Sequence, residues 1–499
     1  MRLLRPLASA LAALPVLAEI AVAGDEAHAA AVNPWMITPF VLLLLAIAVA
    51  PFINRKWWDR YFPHVSIALG AVTVVYYLVV LRNPWRMLHS GVEYVSFIVL
   101  IGSLFIVAGG IHIRIKGKSK PLSNVFLLAI GAVISNLVGT TGASMILIRP
   151  FIRVNRYRIK PYHIVFFIFV VSNMGGALTP IGDPPLFLGY LRGIPFFWVA
   201  EHLWYKWAIA MLIVLGVFYV IELIQFRRLP PSVRHSAQGA EEEGEASGAH
   251  NIFFLAVILV AVFITRPPFL REALMVLAAY GSYKTTHRDI HRKNDFNFHP
   301  IREVAFLFLG IFATMVPALD WLEQNAASIG IRSPGQFYWA TGMLSSVLDN
   351  APTYLNFLTA AIGLFVNDEI VRQVFQLVQT HGADLGNLVG PYAVEVQNTY
   401  ATLVKYHADM IASGSVPLSD IQVSYLIGNH NAYIQAVSIS AVFFGACTYI
   451  GNGPNFMVKS IAEQNGVLCP TFFGYVVKYT LPVLLPIFLI TWLLFFTGL

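Results

Sequence analysis

Asp183 and Asp349 are carboxylates set in stretches that are otherwise apolar, and both have amides and hydroxyls beside them. The first stands in Asn173-Met-Gly-Gly-Ala-Leu-Thr-Pro-Ile-Gly-Asp183-Pro-Pro185, and the second opens Asp349-Asn-Ala-Pro-Thr353. Carboxylate, amide and hydroxyl oxygens are hard ligands. Asp183, Asp349, Asn136, Asn350, Thr179 and Thr448 could therefore hold a sodium ion, helped by carbonyls freed where a helix unwinds. Burial and a second carboxylate nearby both favour the protonated form of a carboxyl group, so sodium and a proton would compete for the same oxygens. A plainer role for Asp183 is to cap the helix that follows it. An organic anion is the second chemistry open to these stretches, because half-helices point their positive ends into a gap. Against it, neither stretch contains Arg or Lys, and two aspartates would repel an anion unless a cation bound first. The third chemistry is peptide hydrolysis by a pair of intramembrane aspartates.

The element that must position Asp183 is an interrupted membrane helix. The apolar run Ile164 to Val171 leads into Gly175, Gly176, Pro180, Gly182, Pro184 and Pro185, which cannot continue a helix. Backbone gives up helical bonding at membrane depth only where it is buried in protein or lines a wet cavity. An acid in such a break is a functional hypothesis by default. The break also has a twin: Gly176-Ala-Leu-Thr-Pro-Ile-Gly-Asp-Pro-Pro185 aligns without gaps on Gly445-Ala-Cys-Thr-Tyr-Ile-Gly-Asn-Gly-Pro454. Matched interruptions in two halves of a chain point to a transporter binding site. A protease has no need of that symmetry.

Composition agrees. The 499 residues are 57% hydrophobic and 12% charged, which defines a polytopic helical membrane protein. Long continuous apolar runs exclude a β-barrel. The net charge of +7 sits in short loops and calls for no nucleic acid. Cys447 and Cys469 are too few for a disulfide framework and read as packing residues.

Met1 to Ala31 carries Arg2 and Arg5, an apolar Leu7–Ala23 and then small residues, the pattern of a signal peptide, with an extra membrane helix as the alternative. Cleavage would leave the N-terminus outside the cytoplasm. Spans are expected at Trp35–Ile53, Val65–Leu81 and Val92–Ile113. Residues 121–148 lie between two basic clusters, Arg114 to Lys120 and Arg149 to Lys160, that both favour the cytoplasm. That length suits neither two crossings nor one. A re-entrant hairpin, tipped at Ser135-Asn136-Leu-Val-Gly-Thr-Thr-Gly142, resolves the conflict. The first half (32–225) then holds the broken helix 162–191 and a return span, Leu203–Phe226. Residues 226–250, with the acidic run Glu241-Glu-Glu-Gly-Glu245, read as a flexible cytoplasmic linker.

The second half (251–499) repeats the plan. Two shorter spans, Ile252–Ile264 and Pro268–Tyr283, precede a basic loop. Its His287, His291 and His299 lack the spacing of a metal site. Val304–Leu319 leads to a second hairpin, 337–364, entering from the opposite face with its tip at Ser345–Thr353. Residues 367–422 form an extracytoplasmic insertion, with Val396, Tyr400, Leu403 and Val404 on one helical face. A second broken helix, 425–461, and a last span, Val476–Phe496, complete an all-α polytopic fold of inverted-topology repeats.

In these hairpin tips and breaks the chain resembles the ion transporter superfamily, closest to its NhaD-like sodium:proton antiporters and CitMHS-like citrate transporters; arsenite permeases are further members. The resemblance runs from about Val92 to the C-terminus. It implies two hairpins and two broken helices meeting at the membrane midplane, usually in a homodimer. Carried over, the site residues are Ser135, Asn136, Thr140, Thr141, Asn173, Thr179 and Asp183, with Asp349, Asn350, Thr353, Thr448 and Asn452. Sodium would sit at Asp183, Asn136, Asp349 and Asn350. Pro184 and Pro185 follow Asp183 as in the permease branches, where NhaD proteins have threonines. The expectation is a non-enzymatic secondary transporter of a bacterial inner membrane. Sodium/proton antiport is the main reading, a citrate, other organic anion or arsenite-type permease is the alternative, and an aspartyl protease is remote. No cofactor is expected beyond Na+ and H+ as moving ions.

Overall fold

The computed structural model describes residues 31–497, apart from 115–118, 234–244, 265–266, 295, 384 and 415. The expected signal peptide therefore lies outside the described residues, save Ala31. The chain is an all-α polytopic membrane protein, with seven helices long and apolar enough to cross a bilayer among the described residues.

The first half opens with a helix from Thr38 to Val75, bent where Asn54 leaves helical geometry (φ −151°). The kink divides it into the two expected spans, Pro34–Pro51 and Lys56–Val80, the second starting earlier than expected. The third span starts earlier than expected, at Pro84, because Asn83 caps it by accepting the Arg86 N–H; it ends at Gly109. Hydropathy alone passes over that polar first turn. Packed against it is His299–Asn325 of the second half. Arg86 links the pair through Asp320 (2.8 Å from Nε), which also accepts the Tyr77 hydroxyl at 2.7 Å.

Pro121–Val154 is helical at both ends but reverses at Gly139 (φ 77°, ψ 155°), a backbone conformation open chiefly to glycine. The reversal is proved at the far ends of the arms. Asn124 and Asn155 exchange side-chain hydrogen bonds of 2.8 and 2.9 Å, whereas a straight helix would hold them roughly 46 Å apart. The second arm runs on to Val154, past the expected limit at 148. The partner hairpin consists of Pro334–Val347 and Asn350–Phe365, with Phe337 and Phe357 in edge-to-face contact across its arms.

The broken helices have matching architecture. One is Pro161–Val170, a 3-10 turn at Met174–Gly176, then Pro184–Leu191. The other is Leu418–Phe444, a 3-10 turn at Gly445–Cys447, then Gly453–Gln464. Its first arm is itself bent where His430 leaves helical geometry (φ −136°). Within the insertion, Val396, Tyr400 and Leu403 are buried while Val404 is exposed.

The helix Trp198–Arg227 serves as a ruler beside the two hairpins. Glu222 meets the base of the first at Asn124 (2.7 Å). Lys206 lies over the ring of Phe496, whose carbonyl abuts Gly335 at the base of the second. Those positions are roughly 24 Å apart along the helix axis, so the hairpins enter from opposite ends.

Two further expectations are corrected. The helices Asn251–Val262 and Leu270–Thr285 have 12 and 16 residues, short of the ~20 needed for a crossing. The linker is not wholly irregular either: Glu245–Ser247 pairs antiparallel with His112–Arg114, Arg114 facing Glu245.

Candidate functional site

Both hairpin tips and both breaks converge on Asp183. The Thr140 hydroxyl donates to its Oδ1 (2.7 Å), Asn452 Nδ2 donates to the same oxygen (3.0 Å), and Asn350 Nδ2 donates to Oδ2 (2.6 Å). Each donor comes from a different element: the first tip, the second break and the second tip. Helical segments start at or beside all four residues, after Gly139, Asp349, Asp183 and Asn452. Their N-terminal partial charges therefore face one carboxylate. The acid is almost wholly buried.

The local sequence explains this convergence. Asp183 and Asn452 both take extended backbone (φ −144° and −156°), and each precedes a half-helix opened by Pro184 or Gly453-Pro454. Thr179 and Thr448 act alike. Each hydroxyl donates to a carbonyl of the neighbouring tip, Asn136 O at 2.6 Å and Ser346 O at 2.7 Å. Each hydroxyl also accepts the N–H three residues on, Gly182 or Gly451, at 3.0 Å. Ser135 and Ser345 donate to Val171 O (2.7 Å) and Ala441 O (2.6 Å). Freed carbonyls of one element are thus satisfied by hydroxyls of another.

The sequence-selected residues divide into two sets. Asn136 is a brace: Nδ2 donates to Ala132 O and Gly175 O, and Oδ1 accepts the Leu178 N–H. Thr353 donates to Asp349 O within its own helix. Asp349 is the cap in this site, accepting the Ala351 N–H at 3.1 Å, whereas Asp183 makes no side-chain cap to its own helix. The direct contacts of Asp183 are Thr140, Asn350 and Asn452. Asn173 stands behind them, its Oδ1 accepting from Asn452 (3.2 Å) and its Nδ2 donating to Asn455 (2.6 Å).

Asn455 escaped the sequence reading. It is fully buried, and its Nδ2 donates to Gly445 O and Thr448 O, both at 2.8 Å. Its signal was an amide one helical turn beyond Asn452, on the face turned to the break. It lay outside the repeated frame, whose counterpart position is Leu186.

A cavity of about 30 Å³ adjoins Asp183, lined also by Thr140, Thr141, Leu104 and Phe105. It has room for a water or a bare cation, and none for a tricarboxylate. A larger cavity, about 540 Å³, lies far from this chemistry between Leu78, Trp85, Tyr94 and Phe312, and its walls are almost wholly apolar.

Close packing gives a test of the breaks. A Cβ on Gly182 would sit 2.1 Å from Gly176 O, a backbone atom that cannot step aside. Gly182→Ala is expected to destabilise by about 1–3 kcal/mol and to displace Asp183. Wild-type thermal stability and transport in the variant would refute the assigned packing.

Inverted repeats, crossed hairpins and paired half-helices around one polar centre are the build of a membrane transporter. The chain matches the family described as "Putative citrate transport" over residues 29–496, and it belongs to that family. No functionally curated protein matches it.

Proposed function

We propose that this protein is a cation-coupled permease for citrate or a similar organic anion, acting as a homodimer in a bacterial cytoplasmic membrane. One observation carries the reading: Thr140, Asn350 and Asn452 converge on Asp183 from three elements and donate to it, and helical N-termini surround the same point. Surroundings made of donors and positive dipole ends suit a carboxylate, and the family's description agrees. The absence of Arg and Lys that weighed against an anion in the sequence is offset by those dipoles. A tricarboxylate needs more room than the cavity offers, so loading requires a tip to withdraw or the four elements to shift together.

Sodium/proton antiport is kept as the second reading on one specific observation. The cavity beside Asp183 is the size of a water or a bare ion, and the buried Asn350 Oδ1 has no hydrogen-bond partner among the described residues. Reconstitution in liposomes separates the two. The expected result is uptake of labelled citrate driven by an inward proton or sodium gradient. Sodium-dependent alkalinisation or acidification with no citrate uptake, in vesicles carrying a pH dye, would overturn the permease reading in favour of the exchanger.

A further inference from the structure

We infer that Asp183 is an internal stand-in for a carboxylate of the substrate. The seat formed by Thr140, Asn350 and Asn452 holds Asp183 when substrate is absent, and holds a substrate carboxylate once Asp183 has taken up a proton and withdrawn. This inference rests on the anion-permease reading and adds its coupling step.

Four features of the geometry support it. Three side chains of the seat donate to Asp183, at 2.6–3.0 Å, and reach both carboxylate oxygens. The Asn452 donor is also locked in orientation. The Nδ2 of Asn452 donates to Ser172 O and Asn173 Oδ1 as well, and Asn173 is fixed in turn by Asn455. Turning the Asn452 amide to offer oxygen would set it against two acceptors.

The third feature is that the helix after Asp183 is not held by its side chain. Its side chain caps nothing, so the helix Pro184–Leu191 does not depend on the carboxylate. The fourth is the asymmetry of the repeat. The residue equivalent to Asp183 is Asn452, one of the donors. A seat for one carboxylate needs one acid and one amide at these twin positions, since two acids would repel each other and two amides would leave no stand-in.

Charge balance then requires the proton. The first tip offers Thr140 and Thr141, the facing helix offers Leu100, Ile101, Leu104 and Phe105, and the second break offers Asn452. The second tip offers Asn350 and Asp349, and Asp349 is engaged by the Ala351 N–H. No cationic side chain lines this cavity among the described residues. An anion joining ionised Asp183 would thus be repelled, whereas one proton carried on Asp183 keeps the net charge of the seat unchanged. Each substrate carboxylate seated brings one proton with it.

The test removes the stand-in and supplies a small one. Purified full-length Asp183→Ala, checked for monodispersity, is titrated with sodium acetate and with sodium chloride at about pH 7.5, where acetate is fully ionised. Acetate should raise its melting temperature well beyond chloride and leave the wild type unmoved, and Asp183→Ala/Asn350→Ala should lose the response. Asp183→Asn, nearly isosteric, covers the chance that the alanine variant misfolds. Between about pH 7.5 and 9, wild-type citrate affinity should rise tenfold per unit fall in pH, as one linked proton demands. Asp183→Asn should show no slope. Chloride and acetate acting alike on Asp183→Ala, or an unchanged slope in Asp183→Asn, would overturn the inference. Acetate binding by Asp183→Ala in a protein that moves no citrate would sustain the seat and sink the permease reading instead.

Discussion

Asn452→Asp should nearly abolish citrate uptake at neutral and alkaline pH, by about a hundredfold, with partial recovery as the medium is acidified. Asn452 Nδ2 lies 3.0 Å from Asp183 Oδ1 and donates to it. Aspartate there replaces a donor by an acceptor and sets a second carboxylate against the first. Like charges so close cannot both stay ionised, so the pair must share a proton, the one that the proposed coupling assigns to Asp183 alone. Hydrogen bonds to charged groups contribute about 1.5–3 kcal/mol each, so losing the donor alone predicts a ten- to hundredfold effect. Asn452→Ala isolates that part: it should weaken uptake about tenfold or more without the recovery in acid. Uptake assays of both variants between about pH 6 and 8 check this. Equal loss in both at every pH would show that repulsion contributes nothing and that Asn452 serves only to pack the break.

Much of this centre was legible because broken symmetry leaves marks in sequence. Glycines and prolines at matched positions located both breaks, since few other residues permit the chain to leave a helix there. Basic clusters on both flanks of residues 121–148 revealed the first hairpin, because its length fits neither one crossing nor two. The division of labour was illegible. Asn136 and Asn350 are both tip amides, yet Asn136 spends its hydrogen bonds bracing the break and Asn350 faces Asp183. That difference is set by which neighbour each meets in space. The cap assigned to Asp183 belongs to Asp349 for the same reason, since both precede a helix and only one has another carboxylate-binding partner set within reach. Misplaced ends have another cause. Hydropathy stops at polar first turns such as Pro84–Arg86, which caps sustain.

Asn452 and Asn455 also show how the two halves are joined. Asn452 reaches Ser172 O and Asn173, and Asn173 returns a bond to Asn455, so each break closes on polar groups of the other. Moving one half against the other at this level would strand several buried donors, each at a cost of about 1–3 kcal/mol. The four elements around Asp183 are therefore expected to travel as one body, with motion taken up at the apolar wall Leu100–Phe105.

The other large effect is structural and lies at the base of the first hairpin. Glu222→Ala should cost about 3–5 kcal/mol and remove most of the folded protein from detergent extracts. Glu222 is fully buried within the helix Trp198–Arg227. Its Oε1 accepts from Arg158 Nη2 at 2.5 Å and from Asn124 Nδ2 at 2.7 Å, and its Oε2 accepts the Tyr162 hydroxyl. His163 Nε2 stands 3.2 Å from Oε2. One carboxylate thus ties the hairpin base, the connector and the start of the first broken helix to a single neighbour. Removing it leaves the Arg158 guanidinium buried with Ser119 Oγ, 2.6 Å from Nε, and the ring of Phe226 but no anion beside it among the described residues. A charge stranded in that way is far costlier than the intact pair is stabilising. Glu222→Gln, which keeps the volume and one acceptor, should fall between alanine and wild type. The double variant Arg158→Met/Glu222→Leu should regain part of the loss by removing both charges, though the Tyr162 hydroxyl would lose its acceptor and Asn124 Nδ2 one of its two. Gel filtration and thermal melts of the four proteins measure the order. Wild-type stability in Glu222→Ala would mean that this buried ion pair does not hold the hairpin in place.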